Sequence, residues 1–175
     1  MLDRLNRLSD SDARAAFERC CGARAWVERM CAGRPYADRA ALDLEAERVA
    51  RDLSAADWRE AFGHHPRIGD VASLRERFAG TAHWAAAEQR GAAVAAEATL
   101  AALARANREY EEKFGHIFIV CATGKNADEM LALLEARMNN DPATELVVAA
   151  GEQMKITRLR LEKLLAEDTQ ERGPA

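Results

Sequence analysis

The sequence has no apolar run approaching the ~20 residues that a helix needs to cross a bilayer, so no membrane-spanning helix is expected in it. It also has no CxxC pair. Its four cysteines are Cys20, Cys21, Cys31 and Cys121, and adjacent Cys20 and Cys21 on a helix point in different directions. Free thiols in a reducing compartment are expected. The start "MLDRLNRLSD" is charged and lacks the apolar core of a signal peptide, so a cytoplasmic location is expected. There is no excess of positive charge. A formal net charge of −4 argues against nucleic acid as the main partner, while leaving room for a local basic pocket. No internal repeat or low-complexity linker interrupts the chain.

What is present is the composition of a globular protein: 49% hydrophobic and 31% charged residues over 175 positions. This length suits one domain, residues 1–175, able to bury most of its apolar surface without staples. The last residues, from about 168 through "QERGPA", are expected to fray.

Helical periodicity runs through almost all of the chain. "SDSDARAAFERCCGARAWVERM" offers serine and aspartate caps and an apolar series through Phe17, Trp26 and Met30, with Gly22 dividing it into two short helices. "GRPY" is a break. A helix through Leu42, Leu44, Ala46 and Val49, then Leu53, follows, and another is capped by Ser54 and ended by Gly63. "SLRERF" resumes helix. The longest run extends from about Thr81 to Phe114 and is rich in alanine, the strongest helix former, with Gly91 as its weak point. Asn126 and Glu129 form a capping pair for "NADEMLALLEARM". Pro142 opens the last helix, whose buried face is expected at Leu146, Ala150, Met154, Leu161 and Leu164. "IFIVCA", bounded by Gly115 and Gly124, could alone be a buried strand. No second strand candidate exists to pair with it, so an irregular or helical buried segment is favoured. The expected fold is all-α, a compact multi-helix domain with a long central and a long C-terminal helix.

Four places could carry chemistry. In "FGHHPRIGD", Pro66 fixes its own φ and pushes His65 into an extended conformation, so the imidazole is aimed by the backbone. An aimed imidazole suits a general acid or base; equally, His65 could simply end a helix. A metal site is not indicated, because adjacent histidines diverge and nothing visibly gathers His83, His116 and Cys121. In "AAAEQRG", Glu88 stands beside small neighbours, where burial would raise its pKa; it could also be an ordinary exposed helix glutamate. In "KITRLRLEKL", Arg158 and Arg160 flank the apolar face. Either could reach a carboxylate or a urea-like group, or snorkel over the core. The irregular segment Phe118 to Ala122 could grip a polar ring through backbone groups, or be plain core.

In order and spacing, "HPRIG" (residues 65–69), "EQ" at Glu88 and Gln89, "KFGHIFIVCATGK" (residues 113–125) and "ITRLRLEKL" (residues 156–164), together with the opening segment and "GRPY", resemble the OHCU decarboxylases. The likeness runs from about Leu2 to Leu165. Those enzymes act on 2-oxo-4-hydroxy-4-carboxy-5-ureidoimidazoline (OHCU) in urate breakdown. The resemblance implies an all-α, cofactor-free and metal-free decarboxylase that yields (S)-allantoin, with a small-molecule substrate and a homodimeric assembly. It places the catalytic residues at His65, Glu88 and Arg160. It places substrate contacts at Pro66, Ala85, Gln89, Phe118, Ile119, Val120, Cys121 and Ala122. Ala85 departs from the pattern, since the family commonly has serine there; a hydroxyl contact is either missing or supplied by Thr81. That departure leaves an alternative, a helical interaction module of the urate pathway with a decayed site.

Overall fold

A computed structural model describes residues 2–67, 71–78 and 89–170, with the side chains of Arg77, 89–95 and 168–170 excepted. The described residues form nine α-helices and no strand. These are α1 (Leu2–Arg7), α2 (Asp10–Cys20), α3 (Arg24–Ala32), α4 (Arg39–Arg51), α5 (Ala55–Gly63), α6 (Val71–Phe78), α7 (Gln89–Phe114), α8 (Ala127–Arg137) and α9 (Pro142–Gln170). The chain divides into two compact units, Met1–His65 with Val148–Ala175, and Pro66–Val147.

Local chemistry sets most helix starts. The Ser9 side chain accepts from the Asp12 amide at α2, and the Asp38 side chain accepts from the Ala41 amide at α4. Ser54 with Asp57 at α5, and Asn126 with Glu129 at α8, form reciprocal capping boxes. Each such cap is worth about 1 kcal/mol. Helix α1 was not foreseen from the sequence. It is fastened by Arg34, whose guanidinium donates to the carbonyls of Leu5 (3.1 Å) and Leu8 (2.7 Å). The Asn6 side chain also pairs with the Tyr36 backbone in both directions.

The first unit is built on Phe17, Trp26, Met30, Leu42 and Phe62, all essentially inaccessible. The Phe17 and Trp26 rings meet edge to face at 5.9 Å, and the Trp26 indole donates to the Ala46 carbonyl. Gly22 separates α2 from α3, as expected, but its backbone is not left-handed. Glycine is required there because a Cβ would lie 2.2 Å from Cγ of His64.

In the second unit, Leu74, Leu103, Tyr110, Phe114 and Leu134 form the core, and Phe118, Val120 and Ala122 pack against it. Residues 117–122 are neither helix nor strand. The two flanking glycines have positive φ, 70° at Gly115 and 76° at Gly124, a region that favours glycine. The irregular reading of this segment therefore holds.

Helix α9 corrects one expectation. Its fully buried row is Glu145, Ala149, Gln153, Thr157, Leu161 and Leu165. Leu146, Ala150, Met154 and Leu164 are only partly covered, so of the expected face Leu161 alone is fully buried. Three buried positions are polar because each finds hydrogen-bond partners inside its unit. The helix continues through Gln170, past the expected start of the frayed tail, and 171–175 lie outside the described residues.

Candidate active site

His65 is half-buried and directly follows the C-cap residue of α5, His64. Its amide donates to the Phe62 carbonyl at 3.1 Å, closing the last turn. Its Nε2 lies 2.6 Å from Oε1 of Gln153 on α9. The Gln153 amide nitrogen in turn donates to Thr157 Oγ1 at 3.3 Å, and that hydroxyl donates to the Cys20 carbonyl at 3.3 Å. Gln153 and Thr157 are both fully buried. Burial lowers the His65 pKa; the Gln153 hydrogen bond opposes this, and Arg160 and His64 lower it further. The net effect puts the ring below its ordinary 6.5 and favours neutral imidazole. The thiols near this row stay protonated, since burial pushes Cys20 up to about 12 and Cys21 up to about 11.

His64 and His65 are unequal. The His64 ring packs over Gly22 and lines an open cavity of about 890 Å³. Arg4, Asp12, Arg19, Arg160 and Glu167 share that lining. The two arginines left open by spacing also part ways. Arg158 is exposed and pairs with Glu47 at 2.6 Å. Arg160 faces the cavity and donates to the Arg19 carbonyl at 3.3 Å. His65 and Arg160 thus stand in one unit, and Arg160 is close enough to act on the His65 charge.

The segment Phe118 to Ala122 is set by residues the sequence reading missed. Arg137, on the last turn of α8, donates to the Ile119 carbonyl at 2.8 Å and lies over the Phe118 ring at 4.6 Å. It also pairs with Glu145, which accepts from Tyr110 and Asn140 as well. Burial pushes the Glu145 pKa up, but these hydrogen bonds outweigh it and the carboxyl ends below its ordinary value. Lys125 donates to the Cys121 carbonyl at 2.9 Å. The backbone of the segment is therefore held from both sides, with Phe118, Val120, Cys121 and Ala122 partly exposed and Ile119 buried.

The remaining sequence-derived site residues are less well placed. Pro66 is exposed at the start of the second unit. Glu88, Ala85 and Thr81 lie outside the described residues, and Gln89 is described only as the first residue of α7. Among the described residues, no group of three or more His, Cys, Asp or Glu side chains is arranged to hold a metal ion, and no helix is long and apolar enough to cross a membrane.

Gln153 and Thr157 were legible in principle. They fall on the four-residue step that joins Glu145, Ala149, Leu161 and Leu165, and such a step marks one helix face.

Comparison with known proteins agrees with the all-α architecture. The chain is 38% identical over 151 residues to the uric acid degradation bifunctional protein TTL of Arabidopsis thaliana, covering 85% of this chain and 46% of that protein. It is 39% identical over 85 residues to the 2-oxo-4-hydroxy-4-carboxy-5-ureidoimidazoline decarboxylase of Amia calva, covering 45% of this chain and 49% of that protein. The matches thus span about half the length of these two curated relatives. A crystal structure of OHCU decarboxylase in the presence of (S)-allantoin superposes with a TM-score of 0.69 at 34% identity, over 91% of this chain and 99% of that one. The family model described as OHCU decarboxylase matches residues 6–162. With most of its length matched in sequence and its fold matched as well, the chain belongs to the OHCU decarboxylase family.

Proposed function

We propose that the protein decarboxylates 2-oxo-4-hydroxy-4-carboxy-5-ureidoimidazoline to (S)-allantoin in urate degradation. The observation that carries this reading is the likeness, at 34% identity, to a solved OHCU decarboxylase that the chain covers over 99% of its length. The interaction-module alternative has no comparable support.

The substrate's hydroxyl and carboxylate share one ring carbon. When carbon dioxide leaves, the bonding pair flows into the ring C=N, so the ring itself holds the charge without a cofactor. The hydroxyl then becomes a carbonyl, and the carbon bearing the ureido group takes a proton. One proton is taken up for each carbon dioxide released.

His65 carries the proton in this scheme. Positioned proton transfer accelerates such steps roughly a hundred- to ten-thousandfold. The lowered His65 pKa supports the role, because neutral imidazole can accept a proton near pH 7. Arg160 binds an anionic or ureido group, and Glu88 anchors the hydroxyl or ureido end. Pro66, Ala85, Gln89 and the segment Phe118 to Ala122 supply substrate contacts. Delivering the proton to one ring face sets the product's chirality. Homodimeric assembly, which rests on the family resemblance, and a cytoplasmic location complete the reading.

Substitution tests the roles. His65→Asn should abolish turnover while leaving helical circular dichroism intact; full activity would remove His65 from the mechanism. Arg160→Ala should lower kcat/KM by about a hundredfold or more, as loss of a charge-stabilising donor does. Arg158→Ala, which breaks only an exposed ion pair, should leave it unchanged. The reverse pattern would mean that the wrong arginine is assigned.

A further inference from the structure

We propose that Gln153, held by Thr157, is a positioning residue that fixes neutral His65 as its Nε2–H tautomer and leaves Nδ1 as the nitrogen that exchanges the catalytic proton. This rests on the reading of His65 as proton carrier. It adds which nitrogen acts and what selects it.

The direction of each bond follows from one end of the row. The Cys20 carbonyl can only accept, so the Thr157 hydroxyl spends its single proton there, at 3.3 Å. Thr157 Oγ1 is then an acceptor toward Gln153, and the group facing it at 3.3 Å is the amide NH2. The amide oxygen is thereby turned to His65, and Nε2, 2.6 Å away, must bring a hydrogen. A neutral imidazole carries one N–H. With it at Nε2, the lone pair sits on Nδ1, which has no hydrogen-bond partner among the described residues. Gln153 and Thr157 are both fully buried, so no water competes for these bonds.

The choice of an amide also matters. A carboxylate in this place would orient the ring equally well but would stabilise imidazolium. Gln153 orients the ring while carrying no charge. Among the described residues, the charged and titratable groups acting on the ring are Arg160 from α9 and His64 from its own segment, and both oppose a second positive charge. The ring therefore rests neutral, takes a proton on Nδ1 from the substrate side, and keeps its Nε2–H bonded to Gln153 while charged. It then returns the Nδ1 proton, and no atom of the row is consumed.

Long-range proton–nitrogen NMR of protein labelled with 15N-histidine reads the tautomer directly, with the His65 signals identified by their loss in His65→Asn. In the unsubstituted protein above pH 7.5, we expect the Nε2–H pattern for His65. In Thr157→Val, which keeps the side-chain shape, we expect a mixture of tautomers and a fall in kcat larger than any change in KM. In Gln153→Glu, the His65 titration midpoint should rise by about one to three pH units, as for a group gaining an opposite charge. The acid limb of the rate profile should move with it. An Nδ1–H pattern in the unsubstituted protein would overturn the proposal even if every variant failed to fold, and so would an unmoved midpoint in folded Gln153→Glu. Full turnover by His65→Asn would instead defeat the proton-carrier reading, while leaving the tautomer to be judged by the spectrum alone.

Discussion

Arg137 donates to the Ile119 carbonyl at 2.8 Å. One guanidinium thus fixes an irregular backbone stretch, neutralises the buried Glu145 carboxylate and covers the Phe118 ring. The planar fork of arginine suits this triple duty, and a lysine would reach only part of it.

Arg137→Met should therefore be costly. It leaves Glu145 buried without its cation, a loss of about 3–5 kcal/mol for a broken buried pair. Urea unfolding should show the midpoint falling steeply, with Arg137→Lys in between. An unchanged midpoint for Arg137→Met would show that Tyr110 and Asn140 suffice to hold the carboxylate.

The Gly22 and His64 contact predicts a compensating pair. Gly22→Ala places a methyl group 2.2 Å from His64 Cγ in the present geometry. Overpacking of this kind costs about 1–3 kcal/mol. The His64 Cβ would lie 2.6 Å away as well, so replacing His64 by glycine in the same chain should recover most of that loss, as a double-mutant cycle in thermal or urea unfolding would read. Additive losses would mean that His64 is not what makes glycine necessary.

The pH dependence has a definite sign. Burial leads the lowering of the His65 pKa below 6.5. The unfolded chain therefore protonates this ring at higher pH than the folded protein does. Stability falls as pH drops through 6.5 and levels off once the folded value is passed. Because neutral imidazole is the proposed proton acceptor, the acid limb of kcat/KM should have its midpoint below 6.5. A midpoint above that value would contradict a neutral resting ring.

Features decided within a few residues could be read from the sequence. The caps at Ser54 and Asn126, the break at Gly22 and the irregular segment between Gly115 and Gly124 all stand as expected. The polar row of α9 did not, because hydropathy assigns Gln153, Thr157 and Glu145 to the surface. Their burial depends on partners far along the chain: His65 is 88 residues from Gln153, and Cys20 is 137 from Thr157. Arg137 was missed for the same reason, since nothing local marks its contacts with Tyr110 and Ile119. In the candidate site, Pro66 drew attention to His65 but not to Gln153, which lies 2.6 Å from its ring. Spacing along α9 does not contain the pairing of Arg158 with Glu47 or the place of Arg160 on the cavity wall.

The most direct measurement generates OHCU in place from urate with the upstream activities and follows allantoin by circular dichroism. With the protein added, we expect faster loss of OHCU and a growing signal of (S)-allantoin, both absent with His65→Asn. Decay at the uncatalysed rate, or racemic allantoin at any protein concentration, would contradict the assignment.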